Sequence, residues 1–287
     1  MNYLELLKQS AEDAGNILCM GLDPVVDALP YREKDVTRRI TDYFAEILAE
    51  MKKRSVRVAA FKPNIGYYAQ LDRPVGRKFC GSLALADTIR MIHDLFPDTP
   101  VILDAKRGDI ATSSLNYAKE AFDVWTADCV TISPYMGTDS VMPFAFENKG
   151  TYILNRTSNP GGKDLQNKLE QSGEPFYMTV AKAIAAWHGD HNGIGAVVGA
   201  TNLKEFEDIA AYYADKDVPL LIPGVGTQGG TAPEVMELMR KVGYPLYLAR
   251  INSSSGLTHP WKKGPAPEDY LERIFAGLNK LTKETAI

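Results

Sequence analysis

Hydrophobic and polar positions divide the chain into two alternating kinds of segment. Short apolar runs rich in β-branched residues are separated by longer stretches in which apolar residues recur every three or four positions, as in Val36–Met51. This alternation predicts parallel strands joined by right-handed helical crossovers. Eight strands are predicted, at Ile17–Leu22, Val58–Lys62, Val101–Asp104, Cys129–Ser133, Thr151–Asn155, Ile194–Val198, Leu220–Pro223 and Leu246–Ile251.

Eight strand–helix units fit a closed (β/α)8 (TIM) barrel, whose usual size is about 250 residues. We therefore predict an α/β fold with one barrel domain over residues 1–287, an N-terminal helix and a long polar loop near 158–173. An open doubly wound sheet has the same alternation, and the pattern alone does not exclude it. Polar and glycine-rich residues follow nearly every strand, which is where a barrel builds its active site.

The composition of the chain limits which partners, cellular location and metal content can be expected. Hydrophobic residues make up 45% of the chain, and the formal net charge is −4, which gives no reason to expect nucleic acid or a membrane as partner. The N-terminus is charged rather than signal-like, and no apolar run approaches the roughly 20 residues that span a bilayer. The three cysteines lack metal-ligand spacing. We expect a cytoplasmic protein that holds no metal.

The segment Val101–Ser114 carries the most informative chemistry. Asp104 and Lys106 are two residues apart, so a continuing strand points both side chains to one face. Lys62 ends an earlier strand, and Asp109 follows shortly. A single such charge is usually solvated, but charges at strand ends inside a barrel need partners or a cleft. An alternating array of these four residues neutralises itself and holds an ammonium rigidly for proton donation.

Several motifs resemble one family. LDAKRGDI matches the D-x-K-x-x-D-I signature of orotidine 5′-phosphate decarboxylases, and FKPN supplies that family's preceding lysine. GLDP, SPYMG, TSNPGGKDLQ, VVGATN and PGVGTQGG follow in the order of the longer, bacterial type 2 branch. The first motif is shared with a wider superfamily, whereas the combination is specific. The resemblance implies a decarboxylase of pyrimidine biosynthesis that converts orotidine 5′-monophosphate (OMP) to uridine monophosphate (UMP) and CO2 without cofactor.

The resemblance also implies roles for the four charged residues. Lys106 would stabilise the vinylic carbanion at C6 and protonate it, since a positioned cation matches charge that develops in the transition state. Asp104 would lie beside the departing carboxylate, and Lys62 would contact Asp104 and the ribose. Asp109 would bind a ribose hydroxyl in the neighbouring subunit's site, which implies a homodimer with shared active sites.

Further substrate-binding residues follow from the same resemblance. Asp23 in GLDP corresponds to a ribose-binding aspartate, Ser113 stands where the family has a threonine, and Ser133 is expected at the pyrimidine amide. The implied residues in the later loops are Ser158 and Asn159 of TSNPGG and Gln228 and Gly229 of GVGTQGG.

GVGTQGG formally matches a dinucleotide-binding fingerprint, but it lies late in the chain and lacks the acidic partner that such a fold requires. A phosphate cradle of backbone N–H groups is the better interpretation, with Gln228 closing over the phosphate or the pyrimidine.

The phosphate-binding arginine of the family has two possible counterparts in LARINSSSGLTHPW. Alignment on the strand gives Arg250, whereas alignment on Gly256-Leu257 gives Ser255 and leaves backbone N–H groups as donors. We favour Arg250 because a guanidinium is the better bidentate partner of phosphate.

Two other functions are compatible with a barrel of this kind. A hexulose-phosphate synthase-like aldolase needs carboxylates that are free to hold Mg²⁺, whereas here lysines neutralise them. A non-catalytic sensor of phosphoribosyl ligands has no need of Lys106.

Overall fold

The eight strands form one parallel sheet in the computed structural model, which describes residues 1–225 and 230–287. Neighbours in the sheet follow the order β2-β1-β8-β7-β6-β5-β4-β3. The strands are β1 (Leu18–Gly21), β2 (Ala60–Lys62), β3 (Ile102–Arg107), β4 (Cys129–Ile132), β5 (Gly150–Arg156), β6 (Ile194–Val198), β7 (Leu220–Ile222) and β8 (Ala249–Ser253).

The two outer strands of this order, β2 and β3, also meet. Phe61 bridges to Val101 and Asn64 to Asp104, both in parallel orientation. The Asp104 backbone N–H donates to the Pro63 carbonyl at 2.9 Å. These contacts bring the sheet round into a barrel, so the predicted (β/α)8 fold is confirmed and the open sheet is wrong.

Helices alternate with the strands around the barrel. They are α1 (Tyr3–Ala14), α2 (Val36–Lys53), α3 (Ile65–Ala69), α4 (Cys80–Leu95), α5 (Ala111–Lys119), α6 (Thr138–Val141), α7 (Phe176–Asp190), α8 (Leu203–Tyr213), α9 (Ala232–Lys241), α10 (Ser255–Thr258) and α11 (Tyr270–Glu284). A π-helical turn, Glu120–Val124, continues α5. Short 3-10 turns occur at Val26–Ala28, Pro74–Gly76, Met142–Phe144, Pro160–Asp164 and Leu246–Leu248.

The helix boundaries have local causes. Asn2 and Glu5 form a reciprocal capping box at the start of α1, and Thr231 and Glu234 do the same at α9. The buried residues of α2 recur every three or four positions, which places one apolar stripe against the barrel. They are Ile40, Tyr43, Phe44, Ile47, Leu48 and Met51.

Most strand boundaries lie within two residues of the prediction, and two differ from it by three residues. Strand β3 continues past Asp104 to Arg107, and β8 begins at Ala249 because Leu246–Leu248 form a 3-10 turn after Pro245. The second shift matters for the site, because it places Arg250 at the beginning of β8 and the serines that follow at its carboxyl end. No helix among the described residues is both long and apolar enough to cross a membrane.

Candidate active site

A cavity of about 710 Å³ lies at the carboxyl ends of the strands. Leu154, Val197 and Leu221 supply apolar lining from β5, β6 and β7. Most polar residues come from the strand ends and the loops after them, and Lys280 comes from α11. They are Asp23, Lys62, Asp104, Lys106, Thr131, Thr157, Ser158, Asn159, Asn252, Ser253, Ser254, Ser255, His259 and Lys280.

The buried Asp104 carboxylate is the centre of the charged part of this cavity. Its Oδ1 accepts hydrogen bonds from Lys106 Nζ at 2.6 Å and Thr131 Oγ1 at 2.8 Å. Its Oδ2 accepts from Lys62 Nζ at 3.0 Å and Asn64 Nδ2 at 3.3 Å. An ionised carboxylate offers about four lone-pair sites, so these four donors occupy all of them.

The ion pairs outweigh the cost of burial at this centre. Burial raises the pKa of Asp104, but the Lys62 and Lys106 ammonium groups outweigh that effect and hold the pKa well below its ordinary value. Burial also lowers the pKa of Lys62, yet Asp104 and Asp23 outweigh it and raise that pKa above the ordinary lysine value. Asp104 and Lys62 are therefore both charged at neutral pH.

Lys106 reaches Asp104 through a β-bulge rather than a regular strand. Leu103 pairs with Val130 and Arg107 with Ile132, so the β3–β4 register shifts between Leu103 and Arg107. Lys106 lies within the shift and has a φ of 46°. Its side chain stays 48% exposed, which leaves the ammonium open to the cavity. The predicted pairing of Asp104 and Lys106 is present, but not through simple strand alternation.

Asp23 links three neighbouring strand ends. Its buried carboxylate accepts from the Asn64 backbone N–H at 3.0 Å and from Ser254 Oγ at 2.6 Å. These contacts join the loop after β1 to those after β2 and β8, and the negative charge of Asp23 helps to raise the pKa of Lys62.

The loop after β5 carries Ser158 and Asn159 at the cavity. A buried ion pair anchors this loop: Arg156 Nε donates to Glu205 Oε2 at 2.6 Å, and Arg156 Nη1 donates to the Thr157 carbonyl, also at 2.6 Å. Both predicted residues therefore line the cavity on a loop tied to β5 and α8.

Three other predicted residues lie outside the cavity formed by the described part of this chain. Asp109 follows β3 and its Oδ1 accepts the Ile110 N–H at 2.8 Å. Ser113 is exposed in the first turn of α5. Ser133 follows β4, and its backbone N–H donates to the Arg107 carbonyl. Gln228 and Gly229 lie outside the described residues.

The assignment of Arg250 to phosphate is wrong. The side chain is fully buried and is not part of the cavity lining. Its five N–H donors are directed to the carbonyl oxygens of Leu7, Ala59, Tyr247 and Ala249 and to Ser10 Oγ, at 2.6–3.1 Å. Arg250 thus ties α1 to the beginnings of β2 and β8, at the end of the barrel opposite the cavity, and has no donor left for a ligand.

Several residues that bind Asp104 or line the cavity were not predicted from the sequence. Asn64 stands in the quoted FKPN motif, and Thr131 lies two residues before Ser133 in a strand that otherwise reads as core. Ser254 stands in the quoted stretch LARINSSSGLTHPW, where no role was assigned to it. His259 lies in the same stretch and was also assigned no role, and Lys280 lies on α11, beyond every quoted motif, so only the fold brings it to the cavity.

Within residues 1–225 and 230–287, no three His, Cys, Asp or Glu side chains are grouped as a metal site requires. Asp104, the most central carboxylate, already accepts four hydrogen bonds.

Comparison with known proteins agrees with this geometry. The family model described as "Orotidine 5'-phosphate decarboxylase / HUMPS family" matches residues 17–243. The orotidine 5′-phosphate decarboxylase of Verminephrobacter eiseniae (strain EF01-2) is 38% identical over 258 residues, 88% of each chain. That of Herpetosiphon aurantiacus is 40% identical over 236 residues, covering 82% of this chain and 83% of the relative.

Comparison with solved structures points to the same family. The OMP decarboxylase of Leishmania donovani superimposes with a TM-score of 0.76 at 29% identity, covering 99% of this chain and 97% of that one. A Toxoplasma gondii structure described as a putative orotidine-monophosphate-decarboxylase reaches a TM-score of 0.80 at 26% identity with the same coverage. The chain therefore belongs to the family of orotidine 5′-phosphate decarboxylases, which are carboxy-lyases.

Proposed function

We propose that the chain converts OMP to UMP and CO2 in pyrimidine biosynthesis, with Lys106 as the proton donor to C6. One observation carries this proposal: the half-exposed Lys106 ammonium lies in the cavity and is held at 2.6 Å by a carboxylate that three further donors fix in place. Neither a metal nor an organic cofactor takes part in the proposed step.

The chemistry requires a fixed cation. The bond between C6 and the carboxyl carbon breaks, CO2 leaves, and the electron pair remains at C6 as a vinylic carbanion. The proton then passes from Lys106 Nζ to C6. A cation that is positioned before the reaction stabilises this developing charge more than the ground state, and that difference lowers the barrier.

The remaining cavity residues suit the rest of OMP. Asp23, which binds Ser254, and Lys62 both line the cavity, and we assign the ribose hydroxyls to these two residues. Ser158 and Asn159, on the anchored loop after β5, are our candidates for contact with the pyrimidine. Ser133 lies outside the lining, which argues against the pyrimidine role expected from its position in the sequence.

The phosphate fits best at the loops after β7 and β8, where many barrels bind phosphate. Gly224, Ser253 and Ser255 line the cavity there. Among the described residues, the basic side chains of the lining other than Lys62 and Lys106 are His259 and Lys280. We assign the phosphate to these two cations in place of Arg250, and we retain Gln228 and Gly229 as candidate ligands.

His259 makes this assignment sensitive to pH. Burial lowers the pKa of His259 below its ordinary value, although the Asp23 carboxylate opposes the shift. A phosphate dianion beside the ring favours the protonated form, so binding is expected to take up a proton.

We also propose a homodimer in which Asp109 enters the partner's site. Asp109 lies outside the cavity of its own chain, as far as the described residues form it. Exposed apolar side chains lie next to it, at Ile110 (53%), and on the loop after β4, at Tyr135 (83%) and Met136 (45%). An added Cβ on Gly108 would lie 3.8 Å from Met136 Cε, so the loops after β3 and β4 are adjacent. Exposed apolar side chains on adjacent loops are typical of protein interfaces.

A decarboxylation assay tests the function. Purified protein is mixed with OMP, and CO2 and UMP are measured with and without EDTA. We expect turnover that EDTA leaves unchanged. We also expect the protein to be found in the cytoplasm. OMP turnover abolished by EDTA and restored by Mg²⁺ would contradict the metal-free step, and OMP binding without turnover would favour a sensor.

A further inference from the structure

The Thr131 hydroxyl uses all of its hydrogen-bonding capacity on Asp104 and on the backbone of β3. The residue lies on β4 and is 1% exposed. Its Oγ1 accepts the backbone N–H groups of Ala105 and Lys106, each at 3.0 Å, and donates to Asp104 Oδ1 at 2.8 Å. A hydroxyl has one donor and two acceptor lone pairs, so no capacity is left over.

The two backbone contacts support the bulge in β3. The β3–β4 register shifts between Leu103 and Arg107, and within the described residues the N–H groups of Ala105 and Lys106 find their partner in this one hydroxyl. Lys106 can then keep a left-handed conformation, which costs a non-glycine residue free energy and persists only where the surrounding contacts enforce it.

The third contact of the Thr131 hydroxyl is with Asp104, the carboxylate that binds the Lys106 ammonium. Thr131 Oγ1 and Lys106 Nζ both bind Asp104 Oδ1. One hydroxyl therefore fixes the backbone from which the Lys106 side chain departs and the carboxylate oxygen at which that side chain ends.

We propose that Thr131 is a positioning residue that presents the Lys106 ammonium to C6 of the substrate. The proposal rests on the proposed role of Lys106 as proton donor. Thr131 acts through Lys106 and Asp104, so its loss affects the chemical step and leaves the ribose and phosphate contacts in place. Threonine suits the task because its β-branched side chain restricts χ1 and keeps the hydroxyl aimed.

The test compares Thr131→Val, which keeps the shape and removes the hydroxyl, with Thr131→Ser, which keeps the hydroxyl. We expect Thr131→Val to lower kcat by about 10- to 100-fold, with KM for OMP and Kd for UMP within about threefold of wild type. Thr131→Ser should recover at least about a third of wild-type kcat. The matched control is Thr151→Val, which removes a hydroxyl 2% exposed on β5 that binds the Phe144 carbonyl, and which should leave kcat unchanged.

Each outcome decides the question. A folded Thr131→Val enzyme with wild-type kcat overturns the proposal, as does an equal loss of kcat and of UMP affinity, because general damage to the fold predicts both. If Thr131→Val does not fold, Thr131→Cys takes its place, since sulfur is a poor acceptor and a weak donor; wild-type kcat in that variant overturns the proposal as well.

A crystal structure of the variant separates this proposal from the proposed function. We expect the Lys106 Nζ–Asp104 Oδ1 contact to lengthen or the left-handed conformation of Lys106 to be lost. An unchanged contact and backbone refute the positioning role. Inactive wild-type protein refutes the function, and the crystal structure then still decides what Thr131 holds.

Discussion

Lys106 Nζ lies 2.6 Å from Asp104 Oδ1 although Lys106 itself has a left-handed backbone conformation, with a φ of 46°. The contact is thus made by a bulged strand and not by the alternation that a spacing of two residues suggests. The bulge leaves the ammonium half exposed to the cavity while Asp104 stays buried. A cation in this position is anchored at one side and free to meet a substrate at the other.

Lys106→Ala should remove decarboxylation almost completely. The variant loses both the cation beside C6 and the proton donor, and we expect kcat to fall by at least about 1000-fold. Lys204→Ala is the control, because Lys204 lies on the surface and pairs only with Asp208 among its described contacts. A Lys106→Ala variant with substantial turnover would defeat the proposed mechanism.

Asp104→Asn should destabilise the fold in a manner that depends on pH. The change leaves the Lys62 charge buried without its partner, at a cost of about 3 kcal/mol in the free energy of unfolding. Since the ion pairs depress the pKa of Asp104 in the folded protein, its stabilisation is fully present above the ordinary value of about 3.9 and is lost as pH falls through the folded-state pKa.

Urea unfolding of wild type and variant at several pH values measures this effect. The difference should be constant above about pH 5 and shrink below about pH 4. Asp208→Asn, which breaks an exposed pair, should change stability by less than about 0.5 kcal/mol at every pH. A pH-independent difference down to strong acid would contradict the assignment of the stabilisation to the ionised Asp104.

His259→Ala should weaken binding of the phosphate group selectively. We expect KM for OMP to rise about 10-fold, with KM for phosphate-free orotidine unchanged, because a contact with a charged group contributes about 1.5–3 kcal/mol. Wild-type affinity for OMP should decline as pH rises past the pKa of the protonated ring, and the variant should lose that dependence. Titration of the phosphate itself affects wild type and variant alike, so the difference between their pH dependences reports His259. Equal effects on OMP and orotidine would assign the phosphate elsewhere.

Arg250→Met should affect stability and not substrate binding. The variant leaves four carbonyl oxygens and the Ser10 hydroxyl without their donor, so we expect the free energy of unfolding to fall by at least about 3 kcal/mol. KM for OMP in the protein that remains folded should match wild type. Arg240→Met, at an exposed site on α9, is the control. A selective rise in KM for OMP at unchanged stability would restore the phosphate role.

Mixing two inactive variants tests whether Asp109 acts across a dimer. In a heterodimer of Lys106→Ala and Asp109→Ala chains, one site regains both residues if Asp109 enters from the partner. Random exchange of subunits should then restore about 25% of wild-type activity. If Asp109 works within its own chain, every site in the mixture stays defective and activity is not recovered.

The sequence was enough to predict the barrel class and the order of the strands along the chain. It was also enough to predict that Lys62, Asp104 and Lys106 lie together at the strand ends. Strand periodicity and strand-end chemistry are local properties, and a barrel places all carboxyl ends of its strands at one face. The family motifs lie at those ends, so the local pattern and the global position agree.

Tertiary structure decided how deep each side chain lies and which strands face each other. Arg250 and Ser253 are three residues apart on β8, yet one binds the main chain under α1 and the other lines the cavity. Thr131 reads as an ordinary core residue until the bulge in β3 brings two N–H groups and a carboxylate to its hydroxyl. Depth along the barrel and register between strands arise from packing among distant segments, and no local pattern of residues contains them.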